Sequence, residues 1–189
     1  MVAATSRMID LGMAAPDFAL PAPDGQVHRL ADFGEAPALL VAFICNHCPY
    51  VVHLKQALAD LTRELAAQGL ASVAINANDT AAYPADAPEK MAADAATFGY
   101  PFPYLFDESQ DVAKAYGAIC TPDFFLFDQD RRLAYRGQFD GTRPGRGQAT
   151  GGDLRAAVLD VLDGRVPANQ VASMGCSIKW RAGNAPDWA

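Results

Sequence analysis

The chain has 189 residues, 51% of them hydrophobic, and a formal charge of -7 at neutral pH, which is enough apolar material for a real core at the size of one ordinary domain. The acidic balance and the lack of any Lys/Arg run exclude electrostatic affinity for nucleic acid or anionic lipid. No stretch reaches the roughly 18 apolar residues of a membrane span, and the longest, 36–45, already contains Pro37, so neither nucleic acid nor membrane is an expected partner.

The opening "MVAATSRMIDLGMAAPDF" has no positively charged leader followed by a sustained apolar segment, since Arg7, Asp10 and Gly12 interrupt it. That pattern argues against export and makes the cytoplasm the expected location. Next, "DFALPAPDGQVHRL" carries two short β-like pieces around Asp24-Gly25, a hairpin signal. Ala38 to Ile44 is a continuous apolar run, too short for most helices and suited to a strand covered on both faces. From Tyr50 the period changes: Val51, Leu54, Leu58, Leu61 and Leu65 share one helical face, with Gly69 where a glycine cap would fall. Leu70 to Asn76 predicts a second buried strand, giving a βαβ unit with a parallel pair and a right-handed crossover.

Residues 77–104 form an insertion containing Pro84, Pro88, Pro101 and Pro103 and a predicted helix from Glu89 to Phe98. Ser109 to Tyr116 reads as a short helix capped by Gly117. Phe124 to Phe127 and Leu133 to Arg136 read as an antiparallel hairpin. The loop "GQFDGTRPGRGQATGG", flanked by Arg136 and holding Arg143 and Arg146, lacks a phosphate-cradling motif and is expected to be a mobile surface loop. Leu154, Val158 and Leu162 mark a last helix ending at Gly164, and 165–189 is expected to be an irregular tail. With no repeat and no linker, 1–189 reads as a single domain.

Four cysteines, Cys45, Cys48, Cys120 and Cys176, are too few for a disulfide scaffold. Cys45 and Cys48, spaced C-x-x-C, fall where the first buried strand meets the helix. A helix N-terminus favours a thiolate, which is the nucleophilic form of the thiol. Cys45 is expected at or just before the first turn and Cys48 about one turn on, close enough to bridge. Pro49 costs little there, and His47 can add positive charge that tunes the thiol pKa. A metal module using Cys45, Cys48 and His47 is an alternative, although no second C-x-x-C supplies the remaining ligands.

Taken together, "APDFALPAPDG", "CNHCP" and "YGAICTPDFFLF" resemble the thioredoxin-fold redoxins related to alkyl hydroperoxide reductase and thiol-specific antioxidant proteins, in particular a bacterial thioredoxin-like subgroup with "NHCPYV" and a terminal "GCSIKW". The resemblance implies an α/β thioredoxin-like fold with an N-terminal hairpin extension and a central helical insertion. It implies a thiol-disulfide oxidoreductase without organic cofactor, acting on protein or small-molecule disulfides and reset by a reducing partner, in antioxidant or redox-homeostatic service. Cys45 would attack and Cys48 would resolve. A cis Thr121-Pro122 bond would present Thr121 to an extended substrate. Asp123 and Glu89 are candidate proton acceptors. Cys120 and Cys176 are possible auxiliary thiols, Cys176 returning toward the core and toward Cys120. Peroxidase relatives place Thr or Ser three residues before their reactive cysteine; here Cys45 holds that place relative to Cys48. A peroxidase using Cys48 is therefore the enzymatic alternative.

Overall fold

A computed structural model of the chain describes residues 3–189. Its elements in chain order are β1 (Ala3–Thr5), β2 (Ala19–Pro21), β3 (Val27–Arg29), β4 (Ala38–Phe43), α1 (Pro49–Ala66), β5 (Leu70–Asn76), α2 (Pro88–Phe98), β6 (Tyr104–Phe106), α3 (Asp111–Tyr116), β7 (Cys120–Thr121), β8 (Asp123–Phe127), β9 (Leu133–Gly137), α4 (Gly152–Leu162) and β10 (Met174–Ser177). Turns of 3-10 helix occupy Leu30–Phe33 and Pro84–Asp86.

The apolar run at Ala38 is the middle strand of a five-stranded sheet ordered β6-β5-β4-β8-β9. β4 pairs parallel with β5 and antiparallel with β8. Every residue of β4 is buried, because its alternating side chains enter two cores. Leu40 and Ala42 pack with Leu54 and Leu58 of α1 and Leu154 and Val158 of α4. Leu39, Val41 and Phe43 pack with Tyr116 of α3 and Leu20 of the β2-β3 hairpin. This is the thioredoxin-like α/β arrangement, with the hairpin, the parallel βαβ unit and α2 where the pattern placed them. Among the described residues no helix is long and apolar enough to cross a membrane.

α1 opens on Pro49, where a missing N–H costs nothing, and buries Val51, Leu54, Leu58, Leu61 and Leu65. Its end differs from expectation. The helix closes at Ala67, and Gly69 adopts φ +110 two residues later, where the chain turns under Pro37 into β5.

Two further expectations are corrected. The tail 165–189 is not irregular throughout: β10 lies between β1 and β7 in a separate antiparallel sheet. Buried Cys176 lies within it and buried Ile178 just beyond its end, too short a pattern to read as a strand alone. Gly175 makes the pairing possible, since a Cβ there would collide with the Thr121 carbonyl. Arg136, expected beside a surface loop, is wholly buried on β9, where its guanidinium pairs with both carboxylate oxygens of buried Asp123. It lies 3.8 Å from the Phe125 ring centroid. The two-toothed pairing and the ring face replace the water this cation loses.

Two outcomes follow from these contacts. Gly175→Ala should cost about 1–3 kcal/mol in urea unfolding, the usual range for a forced overpacking, and should make the segment after 165 more sensitive to protease. Arg136→Leu should cost about 3–5 kcal/mol by leaving buried Asp123 without its cation, held only by Ser6 and the Ile119 N–H, with much of the loss recovered when Asp123→Asn is added.

Candidate active site

The chain leaves β4 through Ile44 and reaches α1 through Cys45-Asn46-His47-Cys48. Cys48, not Cys45, is the residue that caps α1, with extended backbone angles of φ -65 and ψ 123. Cys45 precedes the helix by a full loop, so the expected placement moves by about one turn. The cause is Pro49, which fixes the first helical position and leaves the residues before it to be held from outside.

That hold comes from the Pro84–Asp86 turn. Asp86 is fully buried and its Oδ1 accepts the N–H groups of Asn46 at 2.8 Å and His47 at 3.4 Å. Its Oδ2 lies 2.7 Å from His47 Nδ1 and accepts Asn78 Nδ2 at 2.8 Å. Asn46 Nδ2 donates to the Ala85 carbonyl at 3.0 Å. Buried Lys55, one helix face away, donates to the Asn46 carbonyl at 2.9 Å and to Asp94 at 2.6 Å. His47 stacks on Tyr83 at 5.6 Å. Sequence reading missed Asp86, whose "YPADAP" setting carries no catalytic signature.

The opposite wall is the Thr121-Pro122 loop, whose peptide bond is cis as expected. Thr121 Oγ1 lies 3.3 Å from Cys45 Sγ, and Cys48 Sγ donates to the Thr121 carbonyl at 3.0 Å. Cys176 of β10 is registered opposite Thr121 and lies in the same buried cluster as Cys48. The strand edge expected to receive a substrate is thus occupied by this chain's own tail. Cys176 returns to the core as expected, but it clusters with Cys48 rather than with Cys120. Cys120 points the other way, 4.0 Å from Ser6 Oγ, and burial pushes its thiol well up. Asp123 is committed to Arg136 and Ser6, and Glu89 is exposed; neither expected proton acceptor faces the dithiol.

Cys45 and Cys48 are both buried, at 1% and 0% exposure, so neither is the more exposed thiol. They share a proton unequally. The hydrogen bond from Cys45 is the main influence lowering Cys48 to about 5 against the opposing effect of burial, assisted by the Val51 N–H in the first turn and by Cys176. Cys45 is pushed well up by that same bond to Cys48, by burial and by the Asp86 carboxylate. Cys176 is raised to about 11 by burial and by its bond to Cys48.

Cys45 Sγ, a His47 ring nitrogen and an Asp86 oxygen lie within 4.8 Å of one another, a donor set that differs from the expected Cys45, Cys48 and His47. Asp86 already accepts four hydrogen bonds there, which suits an anchor for the loop better than a metal ligand.

Beside the dithiol, Pro122, Tyr50, His53, Thr142, Arg143 and Met174 line a small cleft. The glycine-rich loop forms one side of it and is well tied. Asp140 accepts Thr142 N–H at 2.8 Å, Thr150 N–H at 2.6 Å and Gly151 N–H at 2.8 Å, and His53 bonds Thr142 at 2.9 Å.

A strand-to-helix dithiol facing a cis-proline loop defines a thioredoxin-like redox protein. The chain belongs to the Redoxin family, whose model matches residues 10–149. A hypothetical protein from Sinorhizobium meliloti 1021 is 56% identical, with 95% of this chain and 99% of that one covered at a TM-score of 0.93. An uncharacterized conserved protein from Geobacillus kaustophilus is 50% identical over 96% and 97% of the two chains, also at 0.93. The thiol-disulfide oxidoreductase ResA of Geobacillus thermodenitrificans (strain NG80-2) is 28% identical over 125 residues, 66% of this chain and 67% of its own.

The ultraviolet absorbance of thiolate in the reduced protein should be retained above pH about 5 and lost below it. Cys48→Ser should abolish that step. Cys45→Ala, which removes the donated S–H bond, should move it upward. A first step at about 8.5, where an unperturbed thiol titrates, would refute the shared-proton arrangement.

Proposed function

We propose that the chain exchanges a dithiol for a disulfide through Cys45 and Cys48, acting on protein or small-molecule disulfides. The observation that supports this reading most directly is the placement of the pair: Cys48 caps α1, Cys45 stands one loop before it, and both sulfurs reach Thr121 beside the cis-proline. The Cys48 thiolate attacks one sulfur of the substrate, forming a mixed disulfide and releasing the other sulfur as a thiolate. Cys45 then gives up its proton to that thiolate and attacks Cys48, so that the Cys45–Cys48 disulfide forms as the second substrate thiolate leaves. A reducing partner restores the dithiol, and no organic cofactor takes part.

In this reading the order is the reverse of the one that the family resemblance implies, because Cys48 holds the capping position and its thiol is the one lowered. Asp86 stands beside Cys45 as the group able to pass its proton on, and His47 tunes that site by holding the carboxylate. Pro122 and the adjoining cleft receive the substrate chain.

In an insulin-reduction assay driven by dithiothreitol, the wild-type protein should accelerate disulfide cleavage and both Cys45→Ser and Cys48→Ser should lose nearly all of that acceleration. Incubation with a model disulfide should place the first mixed disulfide on Cys48. An adduct on Cys45 of Cys48→Ser would restore the opposite order, and an inert wild-type protein would end the reading.

The lowered thiol of Cys48, followed by Pro49 in the first turn, also favours a peroxidase reading in which Cys48 attacks peroxide. Peroxide turnover with sulfenic acid on Cys48 of Cys45→Ser, together with no insulin reduction, would select it.

A further inference from the structure

The dithiol chemistry proposed above uses Cys45 and Cys48 and leaves a third sulfur at the same place unused. Cys176 is nearly as buried as the pair, at 4% exposure, and sits in the same apolar cluster. It reaches that position on an extended strand paired with Thr121, the residue just before the cis-proline.

Several contacts fix this strand in register. Gly175 passes directly under the Thr121 carbonyl, where any larger residue would collide. Ser173 Oγ donates to the Pro122 carbonyl at 2.8 Å, and Ile178 N–H donates to the Ile119 carbonyl at 2.8 Å. On the far side β1 completes the sheet, and Ser6 N–H donates to the Ser173 carbonyl at 2.8 Å. A strand held on both edges cannot slip by one residue without turning Cys176 away from Cys48. Cys48 Sγ reaches the carbonyl of Thr121, the residue paired with Cys176, at 3.0 Å, and Cys45, Cys48 and Cys176 share one buried cluster.

We propose that Cys176 is a third redox thiol: β10 occupies the place of a substrate strand beside Thr121, and Cys176 forms an intramolecular disulfide with Cys48. This inference rests on the thiol-disulfide exchange reading. The step from the oxidised dithiol is an exchange with no net change in oxidation. The Cys176 thiolate attacks Cys48 of the Cys45–Cys48 disulfide, the Cys48–Cys176 bond forms, the Cys45–Cys48 bond breaks, and Cys45 takes up the proton that Cys176 gave. From the reduced state, the oxidant is a low-molecular-weight disulfide. Cys48 attacks it and releases one thiol, then Cys176 displaces the second, so that two protein thiols and one disulfide yield one protein disulfide and two small thiols. Cys176 thereby gives Cys48 a second resolving partner.

The test uses the full chain and glutathione disulfide. The wild-type protein, Cys45→Ser and the double variant Cys45→Ser/Cys176→Ser are oxidised, remaining thiols are alkylated in acid, and peptides are mapped without reduction. Cys45→Ser should yield the Cys48–Cys176 cross-linked peptide with little glutathione left on Cys48. The double variant should accumulate the Cys48 glutathione adduct instead. The wild-type protein should contain both the Cys45–Cys48 and the Cys48–Cys176 peptides. The proposal is overturned if Cys45→Ser keeps the adduct, or stays unreacted at Cys48, while Cys176 is still alkylated. It is equally overturned if Cys48 bridges to Cys120. Those results leave the dithiol reading standing, which fails separately if the oxidised wild-type protein contains no Cys45–Cys48 bond.

Discussion

Thr121 is the point on which the site depends. Its hydroxyl meets Cys45, its carbonyl accepts from Cys48, and its backbone carries the pairing to Cys176. A single residue therefore sets the distances among three sulfurs that arise from two distant parts of the chain. The bond from Cys48 to the carbonyl exists only while that sulfur is protonated, since a thiolate has nothing to donate. Ionisation of Cys48 thus releases one acceptor at Thr121 and shifts the burden of holding the sulfur onto the donors that remain, Cys45, Val51 and Cys176. Charge at the dithiol and the grip on the tail strand are linked through one oxygen atom.

The other side of the loop is governed by a carboxylate. Four donors converge on Asp86, enough to compensate the loss of water around a buried acid. This arrangement lets a short, irregular segment between strand and helix keep a fixed shape, and it places negative charge next to Cys45, where it discourages a second thiolate. The hydrogen bond between the two sulfurs, with burial and then the Asp86 charge acting on Cys45, separates two chemically identical side chains.

Much of the architecture was legible because it rests on periodicity. The continuous apolar run of Ala38–Phe43, the helical spacing of Val51 to Leu65 and the Asp-Gly turn are local patterns, and each names its element without reference to anything distant. The cis Thr121-Pro122 bond was legible only through the family resemblance. What escaped depends on partners far apart in the chain. Asp86 lies 40 residues from Asn46 in sequence and looks like any acid in a proline-rich insertion. The burial of Arg136 requires Asp123 and Phe125, and β10 becomes a strand only because β7 and β1 lie on either side of it. The capping residue was misplaced for a smaller reason: a shift of one turn in where α1 begins transfers the cap from one cysteine to the other.

The only two tryptophans, Trp180 and Trp188, both follow β10 in the chain. Trp180 packs against the core on the α3 side, and the two indoles meet edge to face at 6.4 Å, with the Arg7 guanidinium 5.6 Å from Trp188. Indole emission is sensitive to solvent and to neighbouring charge, so the intrinsic fluorescence of this protein is almost wholly a signal from the segment that bears Cys176. Detachment or re-seating of that segment can be followed in real time, without a label, while the sulfurs are titrated.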